Sequence, residues 1–404
     1  MVDTRKRRRS PVSNLQGLPA GVWALGFVSM FMDISSEMIH SLLPVFLVSV
    51  LGASVETVGL VEGLGEATAS ISKLFSGWLS DRLGARKALT IFGYGLGALS
   101  KPFFAMAASL SLVLGARISD RLGKGIRGAP RDALVGDITP PPLRGAAYGL
   151  RQSLDTVGAF AGPLIAIALM ALFHDNFRTV LWLAIVPGLV SVLILAVFVR
   201  EPAQHKPAEK PRFPIRWSEL SRFNIAFWSV VGLSAILTLA RFSEAFLILR
   251  AQVAGLSLAF MPMVLVVMNI VYALAAYPMG MLSDRMDRRA ILGLGFVVLI
   301  AADIVLATAP NLIVVTLGVV LWGLHMGMTQ GLLAALVADA AKSELRGTAF
   351  GLFNFVSGIA TLFASLIAGY LWQTMGPNAT FLAGAGFTIA GLIAAIFLFR
   401  PADA

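Results

Sequence analysis

Cysteine is absent from all 404 residues, which excludes disulfides and thiolate metal sites while leaving the compartment open. Charge is scarce too. Asp, Glu, Lys and Arg make up 13% of the chain, about half the share usual in soluble domains. No segment follows the G-x-x-x-x-G-K-S/T form that cradles nucleotide phosphates, so ATP drive is not expected. "GYGLG" (Gly93 to Gly97) lies inside an apolar run, without the strand a dinucleotide site needs. With no nucleophile set beside a base, the chain reads as neither an enzyme nor a cofactor carrier.

What replaces charge is apolar length. Hydrophobic residues form 57% of the chain and the mean hydropathy is +0.81. "LWLAIVPGLVSVLILAVFV" (Leu181 to Val199) and "FLAGAGFTIAGLIAAIFLF" (Phe381 to Phe399) each reach the ~20 residues a helix needs to cross a bilayer. Only helices or closed barrels satisfy their backbone in lipid, and strand-like alternation is missing. The expected fold class is therefore all-α and polytopic. Twelve spans are predicted at about 21–50, 56–79, 88–108, 111–135, 145–173, 178–199, 220–249, 256–281, 290–308, 311–338, 347–374 and 379–399.

The net charge of +10 does not point to nucleic acid, because the basic residues gather in short connections. One set holds Arg5 to Arg9, then Arg82, Arg86 and Lys87, Arg131 and Arg144. It continues through Arg200 to Arg216, then Arg285, Arg288, Arg289, Lys342 and Arg346. The alternate connections hold little beyond Arg178 and Arg250. The positive-inside rule puts the first set and both termini in the cytoplasm, in a multi-pass protein of the cell's inner membrane. The opening "MVDTRKRRRS" reads as a basic tail, since it lacks the short apolar core and cleavage site of a signal. The four prolines of "REPAQHKPAEKPRFPIRW" read as a linker. The expected organisation is a cytoplasmic tail 1–20, a six-helix bundle 21–199, a cytoplasmic linker 200–218, a second six-helix bundle 219–399 and a cytoplasmic end 400–404.

The halves repeat. "GWLSDRLGARK" (Gly77 to Lys87) returns as "GMLSDRMDRRA" (Gly280 to Ala290), and "LVGDITPPPLRGAAYGL" (Leu134 to Leu150) as "LVADAAKSELRGTAFGL" (Leu336 to Leu352). Asp137 falls on Asp339 and Arg144 on Arg346. Parallel repeats of this kind characterise transporters that rock two bundles about a midplane site.

These residues resemble the major facilitator superfamily along nearly the whole chain. Its G-x-x-x-D-R/K-x-G-R/K-R/K loop stands here as Gly77, Asp81, Arg82, Gly84, Arg86 and Lys87, with Ala85 one departure. In the second half Gly280, Asp284, Arg285, Arg288 and Arg289 match, and Asp287 replaces the glycine. The resemblance implies a cytoplasmic latch in which Asp81 meets the start of span 11 near Arg346 and Gly347. A carboxylate suits a helix N-terminus. The basic neighbours would bond helix C-termini and loop acids such as Asp137 and Asp339.

Ionisable groups inside spans are costly unless they face a polar cavity or a partner, so each is a candidate. In "DISSEMIH", Asp33, Glu37 and His40 recur at i, i+4 and i+7 on one face of span 1. Span 2 adds Glu62 and Glu66. Span 4 carries Arg117, Asp120, Arg121, Lys124 and Arg127, span 5 Arg151 and Asp155, span 7 Arg241 and Glu244, and span 10 His325 and Gln330. In the superfamily, spans 1, 4, 7 and 10 line the central cavity. The resemblance therefore implies that His40, Lys124, Arg241, Glu244, His325 and Gln330, with Arg151 and Asp155, face substrate.

Asp33 and Glu37 are the leading proton carriers, since two acids on one face can load and release a proton. The other reading pairs Asp33 with Arg117 or Arg121 in a fixed ion pair. Arg117 resembles the family's span 4 arginine assigned to proton transfer, but Asp120 and Arg121 depart from the pattern around it and leave Arg121 an equal claim. For Glu62 and Glu66, a structural pairing with Lys73 or with polar groups of span 11 stands beside a role in coupling. "GAFAGP", with Gly158, Gly162 and Pro163, resembles the G-x-x-x-G-P motif of proton-coupled exporters; small residues four apart allow close helix approach.

The expected function is thus proton-coupled antiport, exporting a small molecule by alternating access from a functional monomer. The partners are substrate, protons and the bilayer. The alternative cargo is a divalent metal or its chelate on Asp33, Glu37 and His40, although the basic stripe of span 4 opposes a bare cation. A transporter-like receptor is the reading from another class, and the linker and C-terminal segment are short for one.

Overall fold

The structure, a computed structural model, describes residues 17–201, 220, 222–283, 287–341 and 346–398. The described residues form twelve spans and no strand. The first six are α1 (Ala20–Val50), α2 (Val55–Leu83), α3 (Arg86–Met106), α4 (Leu110–Ile138), α5 (Arg144–Leu172) and α6 (Phe177–Phe198). The second six are α7 (Ile225–Val253), α8 (Met263–Ser283), α9 (Arg288–Thr308), α10 (Leu312–Ala340), α11 (Arg346–Met375) and α12 (Pro377–Leu398).

The chain marks its own turns. Ser54, Ser109, Asn176, Asn224 and Asn311 each accept a backbone N–H at the start of the helix that follows, filling one of the unpaired donors there. Gly84 ends α2 in the left-handed region at φ 60°, where a side chain would clash. Arg178 donates to the carbonyls of Ala105 and Ala107 at the end of α3. Arg250 does the same for Leu306 and Ala309 at the end of α9. The two basic residues that topology left outside the main set are thus helix C-caps.

Nine of the spans are apolar enough to cross a membrane on composition alone. The other three, α2, α3 and α4, carry Glu62, Glu66, Lys101, Arg117, Asp120 and Arg121. They become spans because these charges face inward and pair. Large apolar side chains such as Phe92, Leu193 and Ile393 stand on the outside, where lipid replaces water.

Packing follows the sequence repeat: α1 lies against α5 and α6 as α7 lies against α11 and α12, and α4 joins α2 and α3 as α10 joins α8 and α9. The halves meet through α2 on α11 and α5 on α8. Two spans differ from the sequence expectation of continuous helix. α1 stops at His40, turns at Ser41–Leu42 ahead of Pro44, and ends in a π turn over Phe46–Val50. α7 is helical over Ile225–Ala240 and Ala245–Val253 but open between. At the repeat offset of 203 (244 − 41), Ser41 falls on Glu244, so both bundles break their first helix at the same level. Discontinuous helices at matched positions mark transporter binding sites.

Gly158 and Gly162 let α5 rest directly on α1. A Cβ on Gly158 would lie 2.5 Å from the Met30 carbonyl oxygen, and one on Gly162 would lie 2.7 Å from Glu37 Cβ. Pro163 follows within the helix. Gly162→Ala is therefore expected to cost about 1–3 kcal/mol by overpacking. Gly95→Ala, where nothing lies within 4 Å, should leave the melting temperature in detergent unlowered.

Candidate functional site

The first-helix breaks open onto a cavity between the bundles. One lobe, about 770 Å³, is walled by Glu37, His40, Glu66, Lys73, Arg121 and Lys124 from the first half. Arg241, Glu244, Asn269, Trp322, Gln330 and Asn354 wall it from the second. A second lobe of about 1030 Å³ adjoins it through Glu37, Lys73, Lys124 and Asn269. It takes in Asp33, Arg127, Arg131 and Asp155 and runs between α5 and α8, along Gln152 and Leu274.

Glu62 of α2 is the hub of the first half. It is fully buried, and its Oε2 receives Arg117 Nη2 at 2.5 Å. His40 Nε2 lies 3.3 Å from the same oxygen, and the Ser243 hydroxyl, in the α7 break, 3.4 Å from it. His40 Nδ1 lies 3.5 Å from Glu37. Arg121 pairs with Glu66 at 3.2 Å, and Asp120 with the buried Lys101 at 2.8 Å. Lys101 also donates to Ser36 at 2.9 Å, returning the network to α1. A second cluster lies nearer the basic loops. Arg151 bonds Asp155 at 2.6 Å, Arg131 bonds Ser29 at 2.9 Å, and Arg127 sits over the Tyr94 ring at 4.7 Å.

With every paired acid accounted for, Asp33, Lys73, Lys124, Arg127, Arg241 and Glu244 remain. They line the cavity and have no ion-pair partner within 4.0 Å among the described residues. Such a wall can bind charged or hydrogen-bonding groups on a solute and exchange protons with water.

A family model of the Major Facilitator Superfamily matches residues 25–270 and 245–404. The chain belongs to this superfamily. An uncharacterised MFS-type transporter of Methanocaldococcus jannaschii is 33% identical over 395 residues, 95% of this chain and 96% of the relative. A multidrug resistance protein of Photorhabdus laumondii is 30% identical over 167 residues, 41% of each chain. Among solved structures, a point mutant of the nucleoside transporter NupG superposes with a TM-score of 0.81 at 12% identity, covering 94% of this chain and 100% of its own. That likeness shows the fold. The protein is a membrane transporter of the superfamily.

The superfamily geometry sorts the sequence candidates. Asp33, Glu37, His40, Lys124, Asp155, Arg241, Glu244 and Gln330 line the cavity, and Arg151 reaches it through its bond to Asp155. His325 does not. It is fully buried, with Nδ1 2.8 Å from the Gly295 carbonyl oxygen, so it ties α10 to α9 instead of facing substrate. Arg117 and Arg121 hold Glu62 and Glu66, not Asp33; among the described residues, neither Glu62 nor Glu66 is ion-paired with Lys73 or hydrogen-bonded to α11.

In the loops, Arg86 is ion-paired with Asp137, and its backbone N–H donates to Glu201. Lys87 donates to the Ala196 carbonyl at the end of α6. Arg82 stacks on Trp78, while Gly77 faces Ala129 across α4. Arg144 opens α5, and Asp339 is exposed near the end of α10. The side chains of Asp81, Arg289 and Arg346, and all of Asp284 and Arg285, lie outside the described residues.

Lys101 and Asp303, both buried, are not among the sequence candidates. Each is a single charge in an otherwise apolar stretch of its helix, which is a legible signal.

Removing one partner of a buried ion pair costs about 3–5 kcal/mol, whereas replacing both by apolar groups costs far less. Glu62→Gln and Arg117→Met should each sharply lower the melting temperature in detergent. The double variant Glu62→Leu/Arg117→Met should recover most of that loss while remaining inactive.

Proposed function

We propose that this transporter is a proton-coupled antiporter that exports a small molecule from the cytoplasm, with both termini cytoplasmic in the cell's inner membrane. The observation that carries the reading is the position of Asp33. It is the one acid of the α1 face without an ion-pair partner among the described residues, and it lines the cavity beside Lys124, Arg127 and Arg131. A carboxylate already held by an arginine has little freedom to take a proton. Asp33 has that freedom, and Glu37, four residues on, is held by His40 alone.

The cycle follows from occupancy. With Asp33 and Glu37 charged, the wall offers acceptors to donor groups of the substrate, and the unpaired Lys73, Lys124 and Arg241 offer donors to its acceptors. A proton arriving from outside removes one acceptor and loosens the substrate at the moment of exposure. Export is further supported by the partial likeness to a multidrug resistance protein and by the Gly158–Gly162–Pro163 motif. A bare metal ion suits the site poorly, because both ring nitrogens of His40 already face carboxylates. In this reading the Asp81 loop forms the cytoplasmic latch, closing when the outside opens.

Proteoliposomes under an imposed pH gradient, screened with drugs, organic acids and metals, test the coupling. Substrate movement should follow the gradient in wild type, be lost in Asp33→Asn and be reduced in Glu37→Gln. Movement indifferent to the gradient would exclude proton coupling, and full activity in both variants would remove α1 from the mechanism. Because the chain has no cysteine, single substitutions report topology directly. Leu83→Cys and Asp287→Cys should react with an impermeant maleimide only from the cytoplasmic side.

A further inference from the structure

Asp303 lies on α9, away from the cavity. It is fully buried, and neither carboxylate oxygen has a hydrogen-bond partner among the described residues. Its surroundings are fixed by Gly384 of α12. A Cβ there would stand 2.8 Å from Asp303 Oδ2, 3.2 Å from Phe242 Cε1 and 3.3 Å from the Ala240 carbonyl oxygen. The acid, the edge of a ring that lines the cavity, and the last carbonyl before the α7 break therefore share one small space. A continuous helix would supply that carbonyl with the N–H of Glu244; the break withholds it.

Every packed neighbour leaves the acid alone. From α7, Arg241 and Glu244 face the cavity, and Arg250 is spent on the carbonyls of Leu306 and Ala309. From α10, His325 is engaged at Gly295. α12 contains no ionisable residue, and the ionisable residues of α8 are the tyrosines Tyr272, which lines the cavity, and Tyr277, whose side chain lies outside the described residues. The repeat sharpens the contrast. At an offset of 202 (303 − 101), Asp303 falls on Lys101, and the register is secured because Ser109 and Asn311, 202 apart (311 − 109), cap the helices that follow. Lys101 is equally buried but bonds Asp120 and Ser36. Asp120 falls on Trp322 at the same offset, so the second bundle carries an ionisable residue at the equivalent position with an apolar ring where the first has its partner. A carboxylate without counter-ion or hydrogen bond costs several kcal/mol in such a place. A proton is the partner that remains.

We propose that Asp303 is a second proton-binding site, in the C-terminal bundle, which exchanges its proton with the central cavity past Phe242 as α7 flexes at its break. The neutral acid can donate toward the Ala240 carbonyl; the anion cannot, and would draw the break open toward water. This site is separate from the α1 acids and is testable without transport, so that either reading can fail alone.

Infrared difference spectra of the reconstituted full-length protein, in H2O and D2O, test it with no substrate present. Wild type and Asp33→Asn should both show the carbonyl stretch of a buried protonated carboxylic acid, shifted in D2O. Asp303→Asn should lose that band, and Phe242→Ala should speed the isotope shift. If Asp303→Asn does not fold, Asp303→Glu should move the band instead. A band retained in Asp303→Asn or unmoved in Asp303→Glu would overturn the site. A band that never shifts in D2O would overturn the exchange.

Discussion

The structure depends on one buried contact, the ion pair of Arg117 with Glu62. Two charges placed at membrane depth must satisfy each other, and the geometry for doing so is narrow. At 2.5 Å, with His40 and Ser243 on the same carboxylate oxygen, the pair fixes the rotation of α2 and α4 about their axes. Once that is set, Glu66 must meet Arg121, and Asp120, on the other flank of α4, must meet Lys101. The chain of contacts explains how three helices too polar to insert by hydropathy nevertheless lie inside the bundle. The charges at their centre, Glu62, Lys101, Arg117, Asp120 and Arg121, are buried within the protein.

The two halves share a skeleton and differ in chemistry. At repeat-equivalent positions, Glu62 faces Leu265, Arg117 Val319, Asp120 Trp322 and Lys124 Met326. Where the first half builds an ionic network, the second builds an aromatic one. Phe242 packs on Trp322 at 5.4 Å, on Phe246 at 5.3 Å and on Phe381 at 5.5 Å. Ion pairs are directional and re-form in discrete arrangements; apolar contacts slide. A transporter that moves one bundle against the other can use the first as the element that senses charge and the second as the surface that yields.

The fold was legible because two signals are hard to counterfeit: apolar runs of membrane length, and matched loops at a nearly constant offset. The sites were legible only in part. Helical spacing correctly put Asp33, Glu37 and His40 on one face, since that is a property of a single helix. It could not say which neighbour an arginine turns toward. The sequence offered Asp33 of α1 as the partner of Arg117 or Arg121, and tertiary packing turned Arg117 to Glu62 of α2 instead. His325 carried the charge pattern of a cavity residue and was rotated onto Gly295 by the packing of α10 against α9. The α1 break had a local cause in Pro44. The α7 break had none in backbone propensity; only the crowding of Arg241 and Glu244 hinted that the helix yields there.

The hub also says how movement at one end is felt at the other. Away from the basic loops, the bundles are joined by Gln252 to Ser49 at 3.0 Å and by the Val55 N–H to Gln373 at 3.2 Å. The second lobe of the cavity runs between α5 and α8. Opening the joined end must carry the second half of α7 away from α1. Ser243 sits at the foot of that segment, where its hydroxyl caps Ala245 and touches Glu62. Separating them takes one donor from the carboxylate that Arg117 and His40 share, and Glu37 lies on the other side of His40. On the proposed reading, bundle opening and protonation of the α1 face are thereby coupled through one chain of polar contacts, Ser243 to Glu62 to His40 to Glu37.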